Sequence, residues 1–478
     1  MSALEQLKPS AVFSFFEQLS AIPHGSGNTK AISDWLVGFA KERGLWCRQD
    51  EADNVVIKMP ASPGRENAAP VILQGHIDMV CEKTAACGKD MTREGIDLVV
   101  EGDILRAEGT TLGGDDGIAV AMLLAVLDGA APEHPPVEAV FTADEEIGLL
   151  GAAALDMSVL EGRRLINIDS EEEGIFTVSC AGGARANCRV PLTREAFGGT
   201  ALRLTVDGLR GGHSGAEIDK GRANASKLLG RVLYALQKQS DYRLCSVRGG
   251  MADNVIPVMA EAVLVGDEKA VRAVVQSMQA ALRDEYRTTD PDITLTVAPC
   301  AAESQPMSRQ STADVVTFLT CCANGIYAMS AEIAGLVQTS LNLGILVTEA
   351  DALKASFSVR SSIGTQKEML LDMLRCLTER LGGDMGVTGE YPGWAYRADS
   401  PLRELMVRVY TEQYGHAPKI EAIHAGLECG LFSGKVEGLD CISIGPDMEG
   451  VHTPGEKLHI ASTGRTWELL RETLRQMK

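Results

Sequence analysis

The sequence predicts an α/β domain with a mostly parallel sheet and flanking helices, interrupted by an inserted α+β domain. Short apolar strands alternate with helical segments over residues 1–185, a pattern typical of a parallel sheet. Alternating strands with paired helices follow over residues 186–398, and the first pattern returns over residues 399–478. A chain of 478 residues is long enough for two or three domains, so an interrupted domain is the simplest description.

Hydrophobic periodicity predicts the individual elements in order. Helices are indicated by apolar residues three and four apart, or by a wholly apolar run, at 9–22, 29–43, 118–127, 224–239, 268–285, 314–321, 366–381, 400–414 and 463–476. Strands are indicated by short apolar or alternating runs at 54–59, 71–78, 137–143, 164–170, 201–209, 260–265, 292–298, 341–348, 355–361 and 439–444. The glycine-rich residues 424–430 predict a turn.

The composition is that of a globular protein and argues against two classes of partner. Hydrophobic residues make up 45% of the chain, charged residues make up 23%, and the formal net charge is −20. This negative charge disfavours binding to nucleic acid or to anionic membranes. No apolar run is long enough to span a bilayer, and residues 1–9 lack the features of a signal peptide. We therefore expect a cytoplasmic protein whose 12 scattered cysteines are reduced.

Polar side chains occur where three of the predicted strands end. The second strand ends in His76 and Asp78, the third is followed by Glu145 and Glu146, and the fourth contains Asp169 near its end. A solvated acidic loop would explain one such ending, but the pattern occurs three times. Because functional groups gather at the carboxyl ends of strands in an open α/β sheet, we expect these side chains to lie together.

Two adjacent acids, Asp115 and Asp116, lie in the glycine-flanked turn LGGDDG at 112–117. They precede the apolar segment 118–127, which predicts a buried helix because it lacks proline and charge. Carboxylates are stabilised at a helix N-terminus by free N–H groups and by the helix dipole. The turn could be a simple helix cap, but together with the acidic strand ends it favours a metal site.

The candidate side chains suit a pair of metal ions. The set consists of His76, Asp115, Glu145 or Glu146, Asp169 and His452. Imidazole and carboxylate ligands together suit Zn²⁺, Mn²⁺ or Co²⁺. Five ligands exceed the three of a single catalytic zinc site, so they fit two ions that share one carboxylate. The remaining glutamate can serve as a general base beside metal-bound water, which predicts hydrolysis of a polar bond such as an amide.

The motifs that carry these residues resemble those of a known family. They are GHID at 75–78, GDDG at 114–117, DEEIG at 144–148, ID at 168–169 and the late His452. In order and spacing they are similar to the motifs of the co-catalytic dizinc peptidases, a family that includes carnosinases, tripeptidase T, aminoacylases and acetylornithine deacetylase. The resemblance covers nearly the whole chain. Gly117 departs from the family pattern, since many relatives carry a lysine there, but that lysine is not a ligand.

The resemblance implies two divalent metal ions per chain. Asp115 would bridge both ions. His76 and Asp169 would complete one site, and Glu146 and His452 would complete the other. The family name implies Zn²⁺, and Co²⁺ or Mn²⁺ remain alternatives that the same ligands would accept.

The resemblance also implies the groups that act beside the metal ions. Glu145 would be the general base, and Asp78 would orient the ring of His76. A carboxylate in that position can hold the second ring nitrogen of a ligating histidine. The peptide bond between Asp115 and Asp116 would be cis.

The insertion at 186–398 would be the lid domain of the family, and the similar content of its halves suggests two similar lobes. His213, in a glycine-rich loop of the lid, would polarise the scissile carbonyl and stabilise its oxyanion. Asn254 and Arg360 would hold the carboxylate end of the substrate, since the planar guanidinium of arginine suits a carboxylate. Glu428, outside the insertion, would meet the free amino group of a dipeptide.

Together these roles imply a metal-dependent dipeptidase that hydrolyses Xaa-His dipeptides, such as β-alanyl-histidine, through a metal-activated water. A tripeptidase or an N-acyl amino acid deacylase of the same family is the alternative. A non-enzymatic binding protein on the same fold is disfavoured, because all five ligands and Glu145 are present. Small peptides are the expected partners. Some lids of the family dimerise, and the sequence leaves open whether this chain is a monomer or a homodimer.

Overall fold

The computed structural model describes Leu4, residues 6–302 and residues 304–478. By its internal contacts the chain divides into two compact units. The first unit consists of Met1–Cys180, Tyr396–Ala422 and Leu427–Lys478, and the second consists of Ala181–Ala395 and Ile423–Gly426. The second unit therefore interrupts the first in the sequence. Its main boundaries follow residues 180 and 395, where the sequence suggested 185 and 398, and it also takes in a short segment near residue 424.

The described residues form helices and strands along the whole chain. The α-helices are Ser10–Ser20 (α1), Lys30–Glu42 (α2), Gly114–Ala125 (α3), Leu150–Ala154 (α4), Ala225–Gln237 (α5), Glu268–Glu285 (α6), Arg309–Cys321 (α7), Gly364–Arg380 (α8), Pro401–Tyr414 (α9), Glu428–Lys435 (α10) and Ile460–Gln476 (α11). The β-strands are Trp46–Gln49 (β1), Val55–Met59 (β2), Val71–His76 (β3), Leu98–Glu101 (β4), Ile104–Ala107 (β5), Val137–Thr142 (β6), Arg164–Asn167 (β7), Ile175–Cys180 (β8), Gly182–Pro191 (β9), Thr200–Asp207 (β10), Gly212–His213 (β11), Tyr242–Gly249 (β12), Val255–Ile256 (β13), Ala260–Gly266 (β14), Thr294–Pro299 (β15), Gly325–Met329 (β16), Val337–Thr348 (β17), Ala352–Ser361 (β18), Asp384–Tyr391 (β19), Lys419–Ile423 (β20), Asp440–Ser443 (β21), Met448–Glu449 (β22) and Lys457–His459 (β23).

The main sheet of the first unit has a parallel centre. Its strand order is β1-β2-β6-β3-β7-β21-β8-β20. Strands β6, β3, β7 and β21 pair parallel with one another in this order. The pairs β1–β2, β2–β6 and β21–β8 toward the margins are antiparallel. The predicted α/β architecture is thus confirmed, with its parallel strands confined to the middle of the sheet. Because β6, β3 and β7 are adjacent and parallel, the residues that follow them lie along the same edge.

The centre of this sheet is covered by apolar helices. Every residue of β3 and β6 is buried, as expected for parallel strands with helices on both faces. In α3, residues 118–125 are also all buried, which confirms the predicted apolar helix. This helix begins at Gly114, although Asp115 and Asp116 have non-helical backbone angles and are joined by a cis peptide bond. The acids therefore lie in the turn that leads into the regular part of α3.

The second unit is built on a nine-stranded sheet with antiparallel pairing. Its order is β15-β10-β14-β12-β17-β18-β9-β19, and β16 also pairs with β17. The two halves of the sheet join at β12 and β17 through only two residue pairs. Buried residues of α5, α6, α7 and α8 share one hydrophobic core with the strands. The two halves have related content, and their similarity as lobes stays a prediction.

A small four-stranded sheet of the first unit, β22-β23-β5-β4, carries the last predicted ligand. Its strands pair antiparallel, and the connection between β22 and β23 contains His452 and Glu456. The backbone of His452 has a positive φ of 64°, a conformation that is uncommon for a residue other than glycine. In the part of the chain that the structure describes, we find no helix with the length and apolar character needed to cross a membrane.

Candidate metal and catalytic site

Three neighbouring strands bring most of the predicted ligands to one edge of the first unit's sheet. β3 ends at His76, β6 is followed by Glu145 and Glu146, and β7 is followed by Asp169. Ligand atoms of His76, Asp116 and Asp169 lie within 4.8 Å of one another. Those of His76, Glu145 and Glu146 also lie within 4.8 Å of one another. The parallel strands therefore gather side chains that are far apart in the sequence.

Asp115 lies between the two predicted histidine ligands. Its Oδ1 is 3.1 Å from Nε2 of His76, and its Oδ2 is 3.1 Å from Nε2 of His452. The same nitrogen of His452 is 2.9 Å from Oε1 of Glu146. Asp115, Glu146 and His452 form a third group of ligand atoms within 4.8 Å. Each oxygen of Asp115 thus faces a different imidazole, which is the arrangement that a carboxylate bridging two ions needs.

Asp116 is a buried member of this site to which the sequence analysis gave no ligand role. Its Oδ2 accepts a hydrogen bond from the backbone N–H of His76 at 3.1 Å, and its Oδ1 has no hydrogen-bond partner among the described residues. Burial raises the pKa of Asp116 well above its usual range, and the charge of Asp169 adds to this rise. A Cβ atom at Gly75 would approach Oδ2 of Asp116 to 2.7 Å, so glycine leaves room for this carboxyl group. The adjacency of Asp115 and Asp116 was the one signal in the sequence that could have placed Asp116 at this site.

The carboxyl groups of the site are crowded and poorly solvated. Burial raises the pKa of Asp169 well above its usual range, although the neighbouring His76 opposes the rise. The same two influences act on Glu145, where burial prevails and the pKa rises to about 8. Carboxylates that are forced together in this way favour either protonation or a bound cation.

The two histidines differ from the carboxyl groups, because neighbouring charges stabilise their protonated form. Burial alone would lower the pKa of His76, but the carboxylates of Asp115 and Asp78 outweigh burial and raise it well above its usual range. Asp115 and Glu146 likewise raise the pKa of His452 to about 10. These imidazoles are therefore surrounded by negative charge that a metal ion could neutralise as well as a proton does.

The donor set fits divalent cations. It combines imidazole nitrogens with carboxylate oxygens, as Zn²⁺, Mn²⁺ and Co²⁺ sites do. One buried carboxylate oxygen, Oδ1 of Asp116, lacks a partner among the described residues, and several acids lie within reach of one another. The residues that could hold metal ions include the five predicted from the sequence, His76, Asp115, Glu146, Asp169 and His452, together with Asp116 and Glu145.

Asp78 contacts both a ligand and the loop of the predicted base. The Nδ1–H of His76 can donate to the backbone carbonyl of Asp78 at 3.0 Å, and Oδ1 of Asp78 lies 3.4 Å from the same nitrogen. This leaves Nε2 of His76 free to act as a ligand atom. The carboxylate of Asp78 accepts hydrogen bonds from the backbone N–H groups of Glu145 at 2.9 Å and Glu146 at 3.3 Å, and from the hydroxyl of Ser26 at 2.8 Å. The histidine is thus oriented mainly by the main chain of Asp78.

His213 and Asn254 lie next to each other in the second unit. His213 belongs to the two-stranded β11–β13 ladder, and Asn254 directly precedes β13. The backbone carbonyl of Asn254 accepts the N–H of Ser214 at 2.8 Å. The N–H groups of Gly215 and Ala216 donate to Nδ1 of His213 at 3.3 and 3.0 Å. Because Nδ1 is an acceptor, the ring proton of neutral His213 is on Nε2, where it can be donated.

Arg360 lies beside His213. A Cβ atom at Gly215 would come within 3.2 Å of Cζ of Arg360 and within 3.0 Å of Cε1 of His213, so the two side chains flank this glycine. Burial lowers the pKa of His213, and the positive charge of Arg360 lowers it further. Nη1 of Arg360 donates to the hydroxyl of Tyr391 at 3.4 Å, while its buried Nε has no hydrogen-bond partner within the described residues. The guanidinium therefore keeps donors available for a carboxylate.

The structure corrects the turn that was predicted around Glu428. This residue begins α10 instead of lying in a turn, and its side chain has no exposed surface. Its Oε2 accepts hydrogen bonds from Nε2 of Gln74 at 2.5 Å and from the hydroxyl of Thr142 at 2.6 Å, and Asn167 donates to Oε1 of Gln74 at 2.7 Å. Burial raises the pKa of Glu428 to about 7, although His76 opposes the rise. The carboxyl group of Glu428 joins β3 to β6, its Oε1 has no hydrogen-bond partner among the described residues, and its contact with the amino group of a substrate stays a prediction.

The chain is similar to known peptidases over most or all of its length. The model of "Peptidase family M20/M25/M40" matches residues 72–476. The cytosol non-specific dipeptidase of Escherichia coli (strain K12) is 37% identical over 482 aligned residues, which cover 100% of this chain and 99% of that protein.

Solved structures of peptidases are also similar to this chain. The crystal structure of aminoacylhistidine dipeptidase from Vibrio alginolyticus is similar with a TM-score of 0.95 and 36% identity, and the match covers 100% of this chain and 98% of that chain. A tripeptidase from Staphylococcus aureus is similar with a TM-score of 0.55 and 15% identity, and the match covers 98% of each chain. At that identity the likeness to the tripeptidase concerns the fold alone.

Proposed function

The chain belongs to the M20/M25/M40 peptidase family, and we propose that it is a dipeptidase that hydrolyses Xaa-His dipeptides such as β-alanyl-histidine. Peptidases of this family depend on metal ions. Dipeptidase activity is supported by the full-length similarity to the E. coli enzyme, and the preference for a C-terminal histidine is supported by the similarity to the V. alginolyticus enzyme. The observation that carries the proposal is the position of Asp115, with one carboxylate oxygen toward His76 and the other toward His452.

The proposed metal content is two divalent ions per chain, with Zn²⁺ as the first candidate and Co²⁺ or Mn²⁺ as alternatives. Asp115 would be shared, His76 and Asp169 would hold one ion, and Glu146 and His452 would hold the other. This division is supported by the close approach of Asp115, Glu146 and His452 and by the contact between His76 and Asp115.

The proposed chemistry assigns the proton transfers to Glu145. When bound, the two ions would lower the pKa of a water molecule and polarise the scissile carbonyl. Glu145 takes the proton of that water and passes it to the leaving amine, as a general base and then a general acid. A pKa of Glu145 near 8, raised by burial, suits a group that must hold a proton between these two steps.

The proposed substrate contacts come from the second unit. His213 donates its Nε2–H to the oxygen of the scissile carbonyl, which is consistent with the N–H groups that hold its Nδ1 as an acceptor. Arg360 and Asn254 hold the C-terminal carboxylate of the dipeptide. Arg360 has a buried Nε without a partner among the described residues, and Asn254 is exposed. Whether His213 serves its own chain or the neighbouring copy of a homodimer is left to experiment.

We propose that the partners of this chain are small peptides and that it binds neither nucleic acid nor membranes. A cytosolic site of action is proposed from the name of the E. coli relative. The negative charge of the chain is consistent with the exclusion of nucleic acid.

The decisive experiment measures hydrolysis of β-alanyl-histidine by metal-depleted protein, with Zn²⁺, Mn²⁺ or Co²⁺ added back. The substrate panel also contains non-histidine dipeptides, a tripeptide and an N-acyl amino acid. We expect metal-dependent release of histidine and a requirement for the free amino group. Equal cleavage of dipeptides without histidine would overturn the Xaa-His specificity. Preference for the tripeptide or the N-acyl substrate would overturn dipeptidase activity, and no hydrolysis with any metal would overturn the enzyme assignment.

A further inference from the structure

One buried carboxylate binds the turn that carries Asp115. Oε2 of Glu456 accepts the backbone N–H groups of Leu112 at 2.7 Å and Gly113 at 3.1 Å, and Oε1 accepts those of Gly114 at 2.7 Å and Asp115 at 3.4 Å. Four consecutive N–H groups thus converge on a single side chain. Only 3% of the surface of Glu456 is exposed, so these contacts are shielded from water.

The turn before α3 explains why an acid is needed there. N–H groups at the start of a helix have no partner within the helix, and buried N–H groups need an acceptor. Gly113 has a left-handed conformation with φ 69°, which helps to direct successive N–H groups to the same side. A Cβ atom at Gly114 would lie 3.1 Å from Oε1 of Glu456, so a glycine there lets the carboxylate approach closely. A carboxylate, with two acceptor oxygens and no donor, satisfies this turn.

Glu456 also belongs to the loop that carries His452. The backbone N–H of Glu456 donates to the carbonyl of Thr453 at 3.0 Å, and the N–H of Gly455 donates to the hydroxyl of Thr453 at 3.1 Å, so the loop is held together locally. In the same loop, Nε2 of His452 lies 3.1 Å from Oδ2 of Asp115. The carboxylate of Glu456 therefore connects two loops, each of which brings one of these two side chains to the site.

We propose that Glu456 is a positioning residue that sets the spacing of Asp115 and His452 and thereby the affinity of the metal site formed by Asp115, Glu146 and His452. The inference rests on the proposed metal centre and goes beyond it, because Glu456 is not a ligand. Replacement by glutamine keeps the size of the side chain but turns an NH₂ group toward backbone N–H donors. Two of the four backbone N–H groups then face the NH₂ group, which repels them instead of accepting their hydrogen bonds. The turn with Asp115 therefore moves.

The test compares Zn²⁺ binding to purified wild-type protein, Glu456→Gln and Glu449→Gln, by calorimetric titration after metal removal. Glu449 is a matched control, since it lies on the same hairpin, is exposed, and pairs with Lys457 and His459. We expect two ions in the wild type and in Glu449→Gln. In Glu456→Gln we expect one ion to bind normally and the other about 10–100-fold more weakly, the usual effect of losing a partner that orients a ligand.

A His452→Ala background identifies the affected ion. If Glu456 acts through the proposed site, Glu456→Gln adds little to the loss already caused by His452→Ala, so the two changes are not additive. If Glu456→Gln is insoluble, Gly114→Ala replaces it, because its Cβ would press against Oε1 of Glu456 without removing the acid.

Two results would separate the failure of this inference from the failure of the proposed function. Normal affinity for both ions in Glu456→Gln or Gly114→Ala, even with lower thermal stability, would overturn the positioning role and leave the metal centre intact. Failure of the wild-type protein to bind two ions would overturn the proposed metal centre itself, and the inference with it.

Discussion

The carboxylate of Asp78 accepts the backbone N–H of Glu145 at 2.9 Å, while the main-chain carbonyl of the same residue contacts Nδ1 of His76 at 3.0 Å. One residue thus orients a proposed metal ligand and fixes the loop of the proposed base. The contacts to the loop use the carboxylate, whereas His76 is contacted by the main-chain carbonyl and, at 3.4 Å, by Oδ1 of the carboxylate. The main-chain contact to His76 survives a change of side chain, whereas the contacts to the loop at 145–146 do not.

Asp78→Asn should therefore lower kcat more than metal affinity. An amide keeps one oxygen acceptor but replaces the other with a donor, so one of the N–H groups of Glu145 and Glu146 loses its partner. We expect kcat for β-alanyl-histidine to fall about 10–100-fold, the usual effect of losing a supporting partner of this kind, with two ions still bound. Steady-state kinetics and metal analysis check this. Glu82→Gln, a change of an exposed acid, is the control, and loss of both ions in Asp78→Asn would contradict the prediction.

Glu428→Ala should destabilise the first unit. The substitution removes the acceptor of Gln74 and Thr142 and leaves their buried donors with fewer partners. An unsatisfied buried donor costs about 1–3 kcal/mol, so we expect a loss of at least about 2 kcal/mol in the free energy of unfolding. Chemical denaturation followed by circular dichroism measures it. Glu437→Ala, a change of an exposed acid shortly after α10, should have an effect below about 0.5 kcal/mol, and equal effects of the two changes would refute the structural role.

His424 should make the stability of the second unit depend on pH. Burial, and to a smaller extent the positive charge of the neighbouring Arg360, lower its pKa from 6.5 to about 4. Its Nε2 contacts the hydroxyl of Ser340 at 2.7 Å in a buried environment that suits the neutral ring. Between pH 6.5 and pH 4 the unfolded chain binds a proton here that the folded chain does not. The stability from this group is therefore complete above pH 6.5 and is lost as the pH falls toward 4, by at most about 3 kcal/mol.

Thermal unfolding of wild-type protein and His424→Asn at pH 7.5 and pH 5.0 measures this contribution. All other groups contribute to the pH dependence of both proteins, so the difference between them isolates residue 424. We expect the wild type to lose more stability on acidification than His424→Asn. His416→Asn, a change of an exposed histidine, is the control. An equal loss in wild type and His424→Asn would show that the ring does not titrate as described.

The sequence predicted the helices, the strands and the polar side chains at strand ends well, because all of these depend on local patterns. The helix at 268–285 has the predicted bounds, since its apolar spacing is regular and Asp267 caps it by accepting the N–H of Lys269. The contacts that the sequence could not indicate join residues that are far apart in the chain. Glu428 contacts Thr142 across 286 residues, and Glu456 contacts Leu112 across 344 residues. Hydrophobic period and motif spacing carry no information about such pairs.

Glu145 and Glu146 offer the sharpest test of the proposed division of labour, because they are adjacent in the chain and chemically identical. In the proposed mechanism Glu145 transfers protons and Glu146 holds a metal ion. Glu146 contacts His452 at 2.9 Å, whereas Glu145 shares its close group with His76 and Glu146 but not with His452. Glu145→Gln should therefore keep both ions and lose about 10²–10⁴-fold in kcat, the usual contribution of a general base.

Glu146→Gln should instead bind one ion normally and the other weakly, and activity should recover in part when the metal concentration is raised. Metal analysis after dialysis and kinetics at several Zn²⁺ concentrations distinguish the two variants. The activity of Glu145→Gln should not respond to added metal, because its missing group is a proton acceptor and not a ligand. If excess metal restores Glu145→Gln, or if Glu146→Gln binds both ions as tightly as the wild type, the two assignments must be exchanged.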